Sequence, residues 1–229
     1  MSGGRIAVVG PLPPVRSGIA DYLNDLLPHL RSRFDLEVFV GDDHPLADRG
    51  RCGDVVVHPV RQLDALAYDG LVYQMGNNAH HEFVLELAHR RPGILVLHDL
   101  VLHHLYHFLA VTEHRWDLYG EALRESYGAA GEAMLRWKRW WLASSREDFV
   151  FPLFECVAAR SLGVIVHSRS AVSEVERRVP SALVRRVTMG IPLEEPIDPK
   201  AARRRLGIAD GEVIVGMFGF VTPIKRVDV

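Results

Sequence analysis

The amino-acid sequence predicts an α/β protein whose core is a Rossmann-like, doubly wound parallel sheet. Short β-branched runs recur along the chain, amphipathic helical segments separate them, and polar residues follow two of the runs. The chain has 229 residues, of which 48% are apolar and 24% are charged. A chain of this size and composition can bury a substantial core, as expected of a globular protein.

Seven strand-like runs are predicted, and they begin at residues 5, 36, 54, 71, 94, 164 and 183. A loop rich in Gly and Pro follows the first run and leads into a helix with leucines on one face. Residues 80–90 predict a second helix. Strand-like runs are missing between about residues 100 and 154, and this interval is longer than one crossover helix requires. We therefore predict a helical insertion in that interval.

The composition changes near residue 190 and predicts a domain boundary. Residues 1–190 are expected to form the first domain, and residues 191–200 contain three prolines in an acidic stretch, which is typical of a linker. Residues 201–229 then predict the start of a second domain. One βα start cannot bury its own apolar face, so the sequence indicates one complete domain followed by a truncated one.

The second domain is expected to begin with a helix and a strand. Asp198 is a candidate N-cap for the helix, and Gly207 is a candidate terminator. A strand-like run then starts at Glu212. Without a neighbouring strand, this run would be an exposed apolar strand. Such a strand can pair with another chain, so the sequence predicts a homo-oligomer or a protein partner that binds through the tail.

The charge balance and the cysteines exclude several classes of protein. Lys and Arg total 27 against 29 Asp and Glu, so there is no basic field for nucleic-acid binding. Cys52 and Cys156 are too far apart for a Cys-x-x-Cys metal site and form no disulfide framework, which indicates a reducing, cytoplasmic compartment. Residues 93–111 are apolar, but Asp99 and four histidines make them unsuitable as a membrane span.

Ser17 and Gly18 form the first candidate site, at the start of the first helix. The preceding loop is neither G-x-G-x-x-G nor a P-loop. A helix N-terminus with a glycine lets an anion such as a phosphate approach free backbone N–H groups. A plain βα turn in which Ser17 caps the helix explains the same residues.

His98 and Asp99 form the second candidate site, at the end of the run that begins at residue 94. Ligands of open α/β sheets gather at the carboxyl ends of strands, so the pair is placed for sugar or phosphate binding or for proton transfer. A structural histidine followed by a helix-capping aspartate is the alternative. We expect the loop of Ser17 and the imidazole of His98 to share one rim of the domain.

Other histidines and amides extend this candidate site. Asn77 and Asn78 follow the run at residue 71 and could bind hydroxyl groups, although capping explains one of them. His103 and His107 are four residues apart, as zinc ligands often are, but no third ligand is evident from the spacing and no H-E-x-x-H motif occurs. The alternative is a polar helix edge that lines a cleft.

The segment RWKRWWL at residues 136–142 mixes tryptophans with basic residues. Trp137, Trp140 and Trp141 would suit contact with an anionic membrane interface. The helical spacing of Trp137 and Trp141 favours the plainer interpretation, in which the helix packs on its own domain.

Taken together, several segments resemble the family-4 retaining glycosyltransferases of GT-B architecture. The segments are PLPPVRSGIADYLNDLLPHL, YQMGNNAHHEF, GILVLHDLVLHHL, GVIVHSRSAVSEV, VTMGIPLEE and DGEVIVGMFGFVTPIKR. Their order and spacing cover nearly the whole chain. The resemblance implies two Rossmann-like domains that face a cleft, with the acceptor mostly on the first domain and a nucleotide-sugar donor mostly on the second.

The resemblance also implies roles for particular residues. Ser17 and Gly18 would approach the donor phosphates, with Thr222 and Lys225 contributing from the second domain. His98, with Asp99, would be the catalytic-site histidine near the transferred sugar. Phe220 stands where many relatives carry an arginine, and the paired-glutamate motif of the family would lie beyond Val229.

The implied activity is transfer of a sugar, with retention of anomeric configuration, to a saccharide or lipid-linked acceptor, as in polysaccharide biosynthesis. It needs no metal and no cofactor besides the nucleotide sugar. Asn77, Asn78 and His103 would contact the acceptor, and the enzyme would be cytoplasmic. The tryptophans of residues 136–142, in their membrane interpretation, would add peripheral contact at the inner membrane face. Two alternatives stay open, namely a non-catalytic module for binding sugars or proteins and a metallohydrolase that uses the histidines.

Overall fold

The computed structural model describes residues 3–48, 50–144, 146–193, 196–209 and 211–216. The chain divides into two compact units after Ile191. The strands of the first unit are β1 (Gly3–Val9), β2 (Phe34–Val40), β3 (Arg51–Cys52), β4 (Val55–Pro59), β5 (Gly70–Met75), β6 (Ile94–Leu97), β7 (Gly163–Val166) and β8 (Val184–Arg186). Its helices are α1 (Gly18–Arg31), α2 (Glu82–Arg90), α3 (His103–Thr112), α4 (Trp116–Arg139), α5 (Glu155–Arg160) and α6 (Arg169–Arg178).

The strands form one sheet in the order β3-β4-β2-β1-β5-β6-β7-β8. All neighbours are parallel except β3 and β4, which pair antiparallel. The seven predicted strands are confirmed, and β3 is an additional strand of two residues. The chain adds β2 and β4 on one side of β1 and then β5 to β8 on the other. The order therefore reverses between β1 and β5, and this switch point opens a crevice at the carboxyl ends of those strands.

Both faces of the sheet are buried, which explains why the strand runs are continuously apolar. Ala7 and Val9 belong to one core cluster, whereas Val8 between them belongs to the other. Leu23 and Leu27 of α1 complete the second cluster. The alternation of β1 side chains between two cores fixes its register, because a slip by one residue would exchange the faces.

The chain between β6 and β7 is helical, as predicted for the insertion. It contains α3, α4 and α5 and no strand among its described residues. Gly128 interrupts α4 with φ 55° and ψ −126°, so the helix consists of two arms. The arms pack closely, because a Cβ added at Gly131 would overlap the carbonyl of Leu123.

The tryptophans at the end of α4 do not pack on their own domain, contrary to the interpretation that their helical spacing favoured. Trp137, Trp140 and Trp141 are all exposed and do not bury their rings against their own domain. Their helical spacing indicated a packed face, but Lys138 is the side chain that turns inward at this end. In the part of the chain that the structure describes, no helix has the length and apolar character needed to cross a membrane.

The second unit contains α7 (Pro199–Leu206), whose predicted ends are confirmed. The carboxylate of Asp198 accepts hydrogen bonds from the backbone N–H groups of Lys200 and Ala201. Gly207 ends the helix in the left-handed conformation with φ 70°. The strand predicted from Glu212 is not formed over residues 212–216, and the remainder of that run lies outside the described residues.

Candidate functional site

A pocket of about 540 Å³ lies at the carboxyl ends of β1, β5 and β6. It occupies the switch point of the sheet, where ligands of open α/β folds bind. The loops after these three strands supply its walls. Its lining residues are Ser17, Gly18, Ile19, Asn77, Asn78, His98, Asp99 and Met189. The structure therefore brings together six of the nine residues singled out from the sequence, and it places Ser17 and His98 on one rim.

Ser17 and Gly18 form the start of α1 on one wall of the pocket. The Ser17 hydroxyl accepts a hydrogen bond of 3.3 Å from the N–H of Ile19, so the capping interpretation holds. Gly18 faces open space, because an added Cβ would meet no heavy atom within 4 Å. The first turn of a helix has N–H groups without intrahelical acceptors, so an anion could approach the backbone here.

The glycines of two neighbouring loops allow the walls to come close together. A Cβ at Gly10 would lie 2.8 Å from the Cβ of Gln74, and a Cβ at Gly76 would overlap Ile19 and His81. Real Cβ atoms do not make contacts this short, so both positions need glycine for packing. These glycines hold the loop after β1 against the loop after β5.

His98 lies at the base of the pocket in a fixed orientation. Its Nε2–H donates to the Gln74 Oε1 at 2.7 Å, and its backbone N–H donates to the Met75 carbonyl at 3.0 Å. The ring packs against Tyr22 and His167, with centroid distances of 5.1 and 4.9 Å. The Nδ1 atom is enclosed and has no hydrogen-bond partner among the described residues.

Burial governs the charge of His98. Desolvation, with smaller contributions from His167 and His81, lowers the pKa of His98 to about 3. The imidazole is therefore neutral at physiological pH, with Nε2 as the donor and Nδ1 as an unused acceptor. Such a ring can accept a hydrogen bond from a ligand hydroxyl, whereas it cannot serve as a cationic acid near neutral pH.

Asp99 and Asn77 connect the loops after β6 and β5. One carboxylate oxygen of Asp99 accepts from the N–H of Val101 at 2.8 Å, and the other lies 3.5 Å from the Asn77 amide nitrogen. The Asn77 carbonyl oxygen accepts from the N–H of Leu105 at 3.2 Å. Asp99 is exposed, so the pocket presents a carboxylate whose position is set by two loops.

The side-chain oxygen of Asn78 has a structural role. The oxygen accepts from the N–H of His80 and from the Nδ1–H of His81, both at 3.0 Å. It thereby caps a short 3₁₀ turn at Ala79–His81. The side chain still lines the pocket, so capping and pocket formation are combined at this position.

The other three predicted site residues are not in the pocket. His103 is fully buried in the helical insertion, where its Nδ1 is 2.5 Å from the Phe151 carbonyl and its Nε2 is 2.6 Å from the Tyr119 hydroxyl. This burial removes His103 from any surface that an acceptor could contact. Thr222 and Lys225 lie outside the described residues.

The geometry does not favour the metallohydrolase alternative. Both ring nitrogens of His103 have protein partners, so neither is available to a metal together with His107. Among the described residues, no group of three or more His, Cys, Asp or Glu side chains is arranged to hold a metal ion.

Sequence reasoning missed the residues that follow β7. His167 and Ser168 line a second pocket of about 560 Å³, and His98 and Asp99 also line it. The His167 Nδ1–H donates to the Val187 carbonyl at 2.8 Å, and its Nε2 is enclosed without a partner among the described residues. The signal was present in the sequence, because VIVHS repeats the pattern of a strand that ends in a histidine and a polar residue.

Comparisons with protein-family models and with curated proteins find no match to this chain. The resemblance to family-4 glycosyltransferases therefore depends on the sequence motifs.

Proposed function

We propose that this chain forms the acceptor-side part of a retaining glycosyltransferase that uses a nucleotide sugar. One observation carries the proposal: six residues chosen from separate sequence motifs line a single pocket at the switch point of the sheet. The motifs lie about eighty residues apart along the chain, from Ser17 to Asp99. The parallel sheet brings the loops after its strands to one edge, and these six residues lie where the strand order reverses, which is the ligand position in open α/β folds.

The chemistry of the pocket suits a polyhydroxylated, phosphorylated ligand. Amide groups of Asn77 and the carboxylate of Asp99 offer both donors and acceptors to sugar hydroxyls. The helix start at Ser17 and Gly18 offers backbone N–H groups to a diphosphate. Ile19 and Met189 supply apolar lining beside these polar groups, against which the carbon face of a sugar ring can pack.

His98 would position the donor sugar. The imidazole borders the pocket in its neutral form, and its Nδ1 is an acceptor without a hydrogen-bond partner among the described residues. An unsatisfied buried acceptor costs free energy, and a ligand hydroxyl would recover part of this cost. In this proposal the first unit aligns the reactants, and its loop amides stabilise the leaving diphosphate.

Two substitutions test the proposal through binding of nucleotide sugars and through transfer. His98→Ala removes the acceptor nitrogen, and we expect about tenfold weaker binding and loss of transfer by the full gene product. Gly18→Ala places a methyl group where nothing lies within 4 Å, so we expect folding to be retained while the approach of the phosphate is blocked. Isothermal titration calorimetry with a panel of nucleotide sugars measures the binding.

His29→Ala is the matched control, because His29 is exposed on α1 and does not line the pocket. It is expected to bind as the unaltered protein does. Normal turnover by His98→Ala, or equal binding by all three variants, would contradict the proposal. Binding without turnover by the full gene product would favour the non-catalytic module instead.

A further inference from the structure

The end of α4 and the segment that follows it expose several large apolar side chains. Trp137, Trp140 and Trp141 keep 50%, 75% and 72% of their surface exposed. Leu142, Phe149 and Val150 are exposed by 60% or more. We call these six residues the tryptophan patch. Single exposed apolar residues are common, but a concentration of this size within fourteen residues marks an interaction surface.

A buried ion pair holds the two parts of the tryptophan patch together. The Lys138 ammonium donates to the Asp148 carboxylate at 2.6 Å and to the Ser144 carbonyl at 3.0 Å, and both charged side chains are buried. These bonds draw the turn with Phe149 against the end of α4. Trp141 and Phe149 also contact neighbouring histidines of α3, with ring centroids 6.3 and 6.4 Å apart. The patch is therefore one fixed surface.

Backbone strain at Trp141 adds a second observation. Trp141 has φ 55°, and its N–H donates to the Lys138 carbonyl while the N–H of Leu142 donates to the Trp137 carbonyl. This pattern is the Schellman motif, and glycine normally occupies the left-handed position. Trp141 carries a steric cost that glycine would avoid, and its exposed ring gains little packing from the described chain in return.

The charges around the tryptophan patch are mainly positive. Arg136, Arg139 and Arg146 are exposed in the same segment. Three acidic groups lie nearby. Asp148 is buried in its pair with Lys138, Glu132 lies 2.8 Å from Arg124 and 3.9 Å from Arg136, and Glu147 accepts a hydrogen bond from the Ser144 hydroxyl and remains accessible. The three exposed arginines still outnumber the one carboxylate, Glu147, that has no cationic partner among the described residues. A cationic rim around exposed indoles is complementary to anionic headgroups, at whose depth tryptophan rings are favoured.

We infer that the tryptophan patch docks on an anionic phospholipid surface. The indole rings would lie at headgroup depth, and the arginines would contact lipid phosphates. This inference does not depend on the glycosyltransferase proposal, because it concerns a different surface and needs no sugar ligand.

Co-sedimentation with vesicles tests the inference. Vesicles that contain phosphatidylglycerol beside phosphatidylcholine are compared with pure phosphatidylcholine. Trp141→Gly removes the ring and relieves the strain, so we expect about tenfold weaker partitioning without loss of thermal stability. Trp140→Ser should have a similar effect on partitioning. Arg136→Gln with Arg139→Gln should weaken binding to the anionic vesicles by roughly fivefold for each arginine.

Leu66→Ser is the matched control, because Leu66 is 91% exposed on another part of the domain. It should leave partitioning unchanged. Unchanged partitioning of both tryptophan variants, or equal binding to both vesicle types, would overturn the inference. A self-associated form in solution that the tryptophan variants dissociate, with no vesicle binding, would also overturn it and would assign the patch to a second copy of this chain.

Discussion

At the scale of single residues, burial rather than sequence context sets the chemistry of the histidines. His98 and His167 both follow strands, and each donates one ring N–H to the protein while its other nitrogen is enclosed and has no partner in the described part of the chain. The sequence shows that a histidine ends each strand. It does not show that Gln74 would fix the tautomer of His98, because Gln74 lies on a neighbouring strand and has no signal of its own.

The lowered pKa of His98 predicts acid sensitivity of the fold. Its folded pKa, about 3, lies below the ordinary value of 6.5, so the unfolded chain binds more protons between these values. The stabilising contribution is fully present above about pH 6.5 and is lost as the pH falls toward the folded value. His81 and His89, whose pKa values burial lowers to about 4, act in the same direction.

The unaltered protein is expected to lose unfolding free energy as the pH falls from about 7 to 5. We expect His98→Gln to lose roughly 1 to 2 kcal/mol less over the same range. Urea unfolding at the two pH values measures this difference. A glutamine keeps a polar group beside Gln74 but does not titrate. An identical pH dependence in the variant and the unaltered protein would show that His98 is not buried in its neutral form.

At the scale of elements, the helical insertion shows where sequence patterns stop being informative. Its extent was predicted from the missing strand runs, and the structure contains helices there. The break at Gly128 and the inward turn of Lys138 were not predicted, because both depend on contacts between the two arms and the segment after them. His103 was misplaced for the same reason, since its partners Phe151 and Tyr119 are distant in sequence.

The buried ion pair between Lys138 and Asp148 predicts that one substitution lowers the stability of the protein strongly. Asp148→Ala would leave the Lys138 ammonium buried without its carboxylate, and we expect the free energy of unfolding to fall by about 3 to 5 kcal/mol. Guanidinium unfolding measures this change. Exposed Asp117 of α4 offers the matched control, Asp117→Ala, which should cost far less. Similar losses for both variants would mean that Lys138 is not held in a desolvated site.

At the scale of the whole molecule, alternation of strands and helices was sufficient to predict the fold class but not the order of the strands. The order places the reversal between β1 and β5, and this placement decides which loops meet. Ser17, Asn77 and His98 could each be selected from the sequence, because each follows a strand. Their convergence in one pocket follows only from the parallel sheet and its switch point.

The central claim is that Ser17, Gly18, Asn77 and His98 form one nucleotide-sugar site. The most direct test is a titration of the chain with nucleotide sugars, monitored through the NMR signals of the backbone amides, the Asn77 side-chain amide and the histidine rings. The account predicts that the amide of Gly18, the side-chain amide of Asn77 and the ring of His98 shift together and saturate with one affinity. Nucleotide-sugar binding that leaves these three groups unchanged and shifts signals elsewhere, or no binding by any nucleotide sugar, would contradict the account.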